Sequence, residues 1–172
     1  MTASIRPEIV ADYAAISDVI RLAFGREDEA QLVKNLRQTP NFIPELSLVA
    51  TEDGQIVGHI LFSEATIETP DGLKVILILA PLAVHPDHQN QATGSHLVRH
   101  GLETCRSLGY GAVVVLGHAD YYQRFGFSPA IEKGIKLPFQ APESAFMLIE
   151  LSPRFVENLS GVVNFPPEFD GV

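Results

Sequence analysis

Pro81-Leu82-Ala83-Val84-His85-Pro86-Asp87-His88-Gln89-Asn90-Gln91-Ala92-Thr93-Gly94-Ser95 joins an apolar run to a polar loop and then to the start of a helix. Upstream, Leu73 to Val84 is apolar on successive positions, the pattern of a strand buried on both faces. Downstream, Ser95 to Leu108 carries Leu97, Val98, Gly101, Leu102, Cys105 and Leu108 on one helical stripe, with Arg106 in its last turn and Gly109 as its stop. Ala112 to Leu116 then reads as a short buried strand. Strand, helix and strand in that order predict a crossover that puts both strands in one sheet. Pro81 cannot donate to a ladder, so its strand is expected to bulge or lose a partner there. That would free backbone groups of Leu82, Ala83 and Val84, unless the strand simply ends at Ala80.

The loop has a chemistry of its own. The first amides of a helix have no internal partners and sit at the positive end of its dipole, which suits an anion such as a pyrophosphate. Ala92, Gly94 and Ser95 are small enough to let such a group approach the backbone. A capped helix with no ligand is the plain alternative. Neither G-x-x-x-x-G-K-[ST] nor G-x-G-x-x-G occurs here, so neither common nucleotide loop applies.

Outward from this core, the chain alternates recognisable elements. Ser4 to Pro7 is a candidate edge strand. Asp12 is placed to cap a helix carrying Tyr13, Ile16, Val19, Ile20, Ala23 and Phe24, which stops at Gly25. A second helix is expected over Glu27 to Arg37, and Pro40 and Pro44 mark an irregular loop. Leu46 to Glu52, the turn Asp53-Gly54, and Gln55 to Glu68 form a hairpin, and a second turn at Pro70-Asp71-Gly72 leads into Leu73. A short helix is expected near Asp120 to Phe125, then a strand at Ala145 to Leu151. The sum is an α/β fold: a mixed, mostly antiparallel sheet of about six or seven strands, flanked by helices, with a bulged or splayed central strand. We expect one domain over residues 1–151 and an extended tail over 152–172, packed on that domain or leaving it.

Composition narrows the function. The 172 residues carry 12 Lys+Arg against 21 Asp+Glu, a formal net charge of −9, which argues against tracking nucleic-acid phosphates. The longest apolar run, Val75 to Val84, is half of the roughly 20 residues a membrane helix needs, and Pro81 interrupts it. Arg6, Pro7 and Glu8 break any secretory leader. The single cysteine, Cys105, lies on a helix stripe and reads as core, and His85-x-x-His88 lacks a third and fourth ligand, so no metal is expected. No membrane or nucleic-acid partner and a cytoplasmic location are the expectation.

The quoted stretch resembles motif A of the GNAT superfamily of acyl-CoA-dependent N-acetyltransferases. Val84, Pro86, Gln89 and Gly94 fall on its Val-x-Pro-x-x-Gln pattern and glycine loop in register, and the wording Pro81-Leu82-Ala83-Val84-His85-Pro86 looks like the YhbS-like subgroup. Tyr121-Tyr122-Gln123-Arg124-Phe125-Gly126-Phe127 resembles motif B, an aromatic pair, three residues and Gly-Phe. The likeness runs over residues 4–150 by element order. It departs from the motif at Ala92, and at Asn90, where glycine is usual.

The resemblance implies direct transfer of acetyl from acetyl-CoA to a primary amine, carried by a small molecule or a protein. It implies that amides around Leu82, Ala83 and Val84 hold the pantetheine and polarise the thioester. Gln89, Asn90, Gln91, Ala92, Thr93, Gly94 and Ser95 would line the pyrophosphate, and Tyr122 would protonate the departing thiolate. Glu64 and His118 are the candidates for general base, with His59, His85 and His88 behind them. A homodimer is compatible with this reading. The alternative is a non-catalytic acyl-CoA-binding or sensing domain. The acidity of the chain leans toward cationic acceptors such as polyamines, amino compounds or basic protein termini.

Overall fold

A computed structural model describes residues 3–157 and 159–172; the expected domain start at residue 1 lies outside them. Nine strands form one mixed sheet. β1 (Ser4–Pro7), β2 (Phe42–Glu52), β3 (Gln55–Thr69) and β4 (Gly72–Val84) make an antiparallel run. β4 then pairs in parallel with β5 (Ala112–Leu116), across the crossover helix α3 (Thr93–Ser107). β6 (Ser128–Pro129), β7 (Ile135–Lys136), β8 (Phe146–Glu150) and β9 (Gly161–Asn164) complete the sheet in the order β1-β2-β3-β4-β5-β8-β6, while β9 pairs with β3 and β7.

The strands in excess of the expected number have a physical reason. β6 and β7 are two residues each, too short to show alternation. β9 joins from the tail, pairing Val162 to Asn164 with Glu68 to Thr66, along the half of β3 that β2 does not reach. β2 also starts earlier than expected, at Phe42, and runs through Pro44 with a register shift before Ser47.

Two layers cover the sheet. On one face α3 packs Leu97, Val98, Leu102 and Cys105 against Phe62, Leu77, Leu79, Val113 and Val115. On the other, α1 (Tyr13–Phe24) and α2 (Asp28–Leu36) bury Ile16, Ile20, Leu32 and Leu36 against Val49, Leu61 and Ala83. The rest of that face buries Ile76, Ile78, Val114, Phe146 and Leu148 beneath Val156, Leu159 and Val163 of the tail.

Pro81 stays inside β4, and the strand bulges there. Between Ile60 and Phe62 of β3 the partner moves from Leu82 to Leu79, so two steps on β3 meet three on β4. On its other side β4 pairs with β5 only at Leu77–Val113 and Ile78–Val114. Beyond Leu79 the two strands part, while β5 stays bonded to β8 as far as Leu116–Phe146. A wedge-shaped gap opens in the middle of the sheet.

Candidate functional site

The gap exposes particular backbone groups. The His85 amide donates to the Val57 carbonyl at 2.8 Å, which makes the facing pair Gly58–Val84 a non-hydrogen-bonded one. In an antiparallel ladder such pairs alternate, so Leu82 and Val84 turn their N–H and C=O groups away from β3. Ala83 is the bonded partner of His59, and its side chain is buried under α1 and α2. Of the three predicted strand residues, Leu82 turns both backbone groups and Val84 its N–H toward the gap, and Ala83 holds the ladder.

The loop after β4 reaches α3 through two left-handed residues, Asn90 at φ 63° and Ala92 at φ 68°. Ala92 therefore adopts the conformation in which glycine is least strained, with a Cβ present. The first intrahelical bond runs from His96 N–H to the Ala92 carbonyl, 3.0 Å. The amides of Thr93, Gly94 and Ser95 thus precede the helical ladder and can receive an anion. The side chains divide the work. Gln89 donates back to the Val84 carbonyl at 3.1 Å and pins the loop to the strand end. Thr93 is buried against the sheet, Ser95 Oγ accepts from Arg124 at 2.8 Å, and Asn90, Gln91 and Ala92 are exposed.

The two tyrosines of α4 (Ala119–Tyr122) face different places. Tyr121 stands over the first turn of α3: a methyl group added at Gly94 would lie 2.7 Å from its hydroxyl. Arg124 stacks over the Tyr121 ring at 4.7 Å. Tyr122 instead lines the gap, with its ring close against Gly117 at the end of β5 and edge-on to Phe127 at 5.6 Å. Burial pushes the Tyr122 phenol well above its ordinary value, and Tyr121 adds to the shift. Such a phenol stays protonated at neutral pH and can donate.

The gap continues as a cleft of about 840 Å³, whose walls include Leu82, Tyr122 and His118. His118 is exposed, and its carbonyl accepts from the Tyr121 and Tyr122 amides at 3.1 and 3.2 Å. Glu64 is placed elsewhere. It pairs with Leu77 on the closed side of the bulge, accepts from the Tyr110 hydroxyl at 2.6 Å, and does not line the cleft. His59, on β3, is fully buried, with Nε2 2.9 Å from Ser47 Oγ. His85 Nδ1 accepts from the Asp87 amide, and His88 lies beside Glu52. None of these three reaches the cleft wall. Cys105 is in the core, where burial pushes its thiol up to about 12. It is not a nucleophile.

Other cleft residues carry no local sequence signal. Arg26 and Glu29 enter from the start of α2, with Arg26 Nε donating to Glu29 Oε1 at 2.9 Å. Phe139, between β7 and β8, and Phe165, Phe169 and Asp170, brought there by the chain after β9, close the far side. Their separation along the sequence hides them, although the run Phe165-Pro166-Pro167-Glu168-Phe169 is an unusual ending for a polar tail.

Comparison with known proteins agrees with this architecture. Residues 4–130 match the acetyltransferase (GNAT) domain family. The uncharacterized N-acetyltransferase YjhQ of Escherichia coli K12 is 44% identical over 134 residues, 77% of this chain and 74% of YjhQ. The uncharacterized N-acetyltransferase YhbS of the same organism is 35% identical over 167 residues, 96% of this chain and 98% of YhbS. The crystal structure of E. coli YhbS in complex with CoA superposes with a TM-score of 0.91 at 34% identity, covering 98% of this chain and 92% of that one. A Brucella melitensis GNAT family acetyltransferase in complex with acetyl-CoA gives 0.79 at 33% identity, with 98% of each chain covered.

Proposed function

This chain belongs to the GNAT acetyltransferase family, and from that premise we propose that it transfers acetyl from acetyl-CoA directly to a primary amine, in the wedge between β4 and β5. The observation that carries this reading is the parting of the two strands beyond Leu79, with Leu82 and Val84 turning backbone groups into the gap beside the Tyr122 phenol. The CoA- and acetyl-CoA-bound relatives support the choice of donor. Residues 3–151 supply the donor side of the site, and the 152–172 segment closes the acceptor side.

Each residue has a task in that reaction. The free amides of Thr93, Gly94 and Ser95 receive the pyrophosphate, aided by the helix dipole. Backbone groups of Leu82 and Val84 hold the pantetheine arm, and an amide aimed at the thioester oxygen stabilises the charge that develops there. The neutral amine attacks the carbonyl carbon, a C–N bond forms and the C–S bond breaks. Tyr122 gives its proton to the departing sulfur. His118, the imidazole on the same wall, takes the proton the amine loses, directly or through one water. Products are the amide and free CoA thiol, and solvent returns Tyr122 to its phenol form.

Thermal shift followed by thiol release tests this. Acetyl-CoA should raise the melting temperature, and thiol should appear only when an amine is added. Stabilisation without turnover across a broad amine panel would favour a sensing domain. No stabilisation by either acetyl-CoA or CoA would contradict the donor assignment itself.

A further inference from the structure

We infer that the acceptor is a small primary amine carried on an aromatic or apolar body, not a polyamine; this rests on the acetyl-transfer reading above. The charge that suggests polycations at the level of composition is not in the cleft. Its arginine and side-chain carboxylate lining is Arg26, Glu29 and Asp170. Glu29, with a side chain 7% exposed, is already met by Arg26, which also reaches Asp28 at 3.5 Å. Of the two side-chain carboxylates in this lining, Asp170 is the one without an ion-pair or hydrogen-bond partner among the described residues. Asp170 is exposed, where a solvated carboxylate holds an ammonium only weakly, and among the described residues the lining offers no buried unpaired carboxylate for the further charges of a polyamine.

The apolar lining points the same way. Only two phenylalanines among the described residues are exposed, Phe24 at 41% and Phe139 at 51%, and both line this cleft. Phe139 continues into an edge-and-tilt stack, with ring centroids 5.6 Å from Phe139 to Phe165 and 5.6 Å from Phe165 to Phe169. Such a wall offers faces and edges at the spacing aromatic pairs prefer. A volume of about 840 Å³ lies in the range of small-molecule sites. An aromatic ring of the acceptor covers Phe139 and Phe24, and its amine points inward to the thioester between Leu82 and Tyr122. The reaction is the balanced one given above.

Thiol release should be measured with phenylethylamine, propylamine and spermidine, in wild type, Phe139→Ala and Phe139→Tyr, with acetyl-CoA thermal shift on each protein. Wild type should show kcat/KM for phenylethylamine about 10-fold or more above both other amines, the worth of burying one ring. Phe139→Ala should raise the phenylethylamine KM by a similar factor and leave the KM for acetyl-CoA unchanged. Phe139→Tyr, which keeps the ring, should restore it. Equal or better use of spermidine or propylamine overturns the inference, as does an unchanged phenylethylamine KM in Phe139→Ala. Failure to acetylate phenylethylamine while acetyl-CoA still stabilises the protein also overturns it, and leaves the donor reading standing. Loss of that stabilisation in wild type removes both.

Discussion

Tyr122 and Ala92 each hold an environment away from the ordinary, a buried phenol and a left-handed backbone with a Cβ. Burial raises the Tyr122 phenol, so its hydroxyl keeps its hydrogen at neutral pH, the form that the proposed donor role needs. Tyr122→Phe keeps the ring against Gly117 and removes the acidic hydrogen. Turnover should fall by about 10²- to 10⁴-fold with acetyl-CoA affinity little changed, while Tyr121→Phe, directed at the first turn of α3, should leave the chemical step nearly intact. Wild-type turnover in Tyr122→Phe, with chemistry limiting, would make this residue a packed aromatic. Ala92 holds φ 68° with a Cβ in place, a conformation penalised by about 1 kcal/mol or somewhat more. Ala92→Gly should therefore raise the melting temperature by roughly 2–4 °C and keep or improve acetyl-CoA affinity. A lower melting temperature would show that the loop needs the methyl group. Both residues were singled out in the sequence because each sits inside a motif with a fixed offset, and the structure puts Tyr122 in the gap wall and Ala92 at positive φ. Glu64 was not correctly located by its pattern: alternation along β3 gives its face, but only the bulge opposite Leu61 decides which end of the strand meets the gap.

Elements translate these residues into a rigid frame. α3 lies so close to β3 that a methyl group added at Gly101 would stand 2.3 Å from the Phe62 ring, deep in the core. Gly101→Val should overpack this contact and destabilise by about 1–3 kcal/mol in a denaturant titration; an unchanged midpoint would mean that the helix can ride outward freely. At the other side, Glu8 after β1, Arg37 after α2, Ser47 on β2 and His59 on β3 form one buried polar cluster. Ser47 gives its hydroxyl hydrogen to Glu8, so His59 Nε2 carries the proton that reaches Ser47. Burial alone would raise the Glu8 carboxyl, but hydrogen bonds from His59, Arg37 and Ser47 and the charge of Arg37 bring it down to about 2. Burial pushes the His59 imidazole down, against the pull of Glu8. Both folded groups bind protons less readily than their unfolded forms, so each contributes stability at neutral pH that acid removes. The loss should begin below the ordinary histidine value of 6.5 and steepen from 4.5 toward 2, as Glu8 protonates. Melting temperatures across that range check the sign, and His59→Gln, which keeps a donor to Ser47, should flatten the upper part of the acid limb. An acid limb identical to wild type would remove His59 from the account. Helices, the hairpin and the crossover were all readable from periodicity and turns. β9 was not, since a four-residue strand takes its place from pairing with Thr66 to Glu68, almost a hundred positions earlier.

At the scale of the molecule, the site is a division of labour between the faces of one sheet. The first turn of α3, proposed above to receive the pyrophosphate, lies on one face, the cleft walled by α2 and the tail opens on the other, and the wedge at Pro81 connects them. The proposed donor side could be named from the sequence because a single contiguous stretch, 81–95, supplies most of its residues. The acceptor side was not, because Phe24, Glu29, Phe139 and Phe165 meet only after folding, and net charge says nothing of where the charges sit. This geometry also constrains the order of events. The described cleft presents no activated nucleophile: Cys105 is in the core with a raised thiol, and the groups that line the wedge are a phenol, an imidazole and backbone. The direct transfer proposed above has both substrates bound together before acetyl moves. Initial velocities measured over a grid of acetyl-CoA and amine concentrations test this most directly. The account predicts double-reciprocal lines that intersect, the pattern of a ternary complex; parallel lines, the mark of an acetylated enzyme that releases CoA before the amine binds, would contradict it.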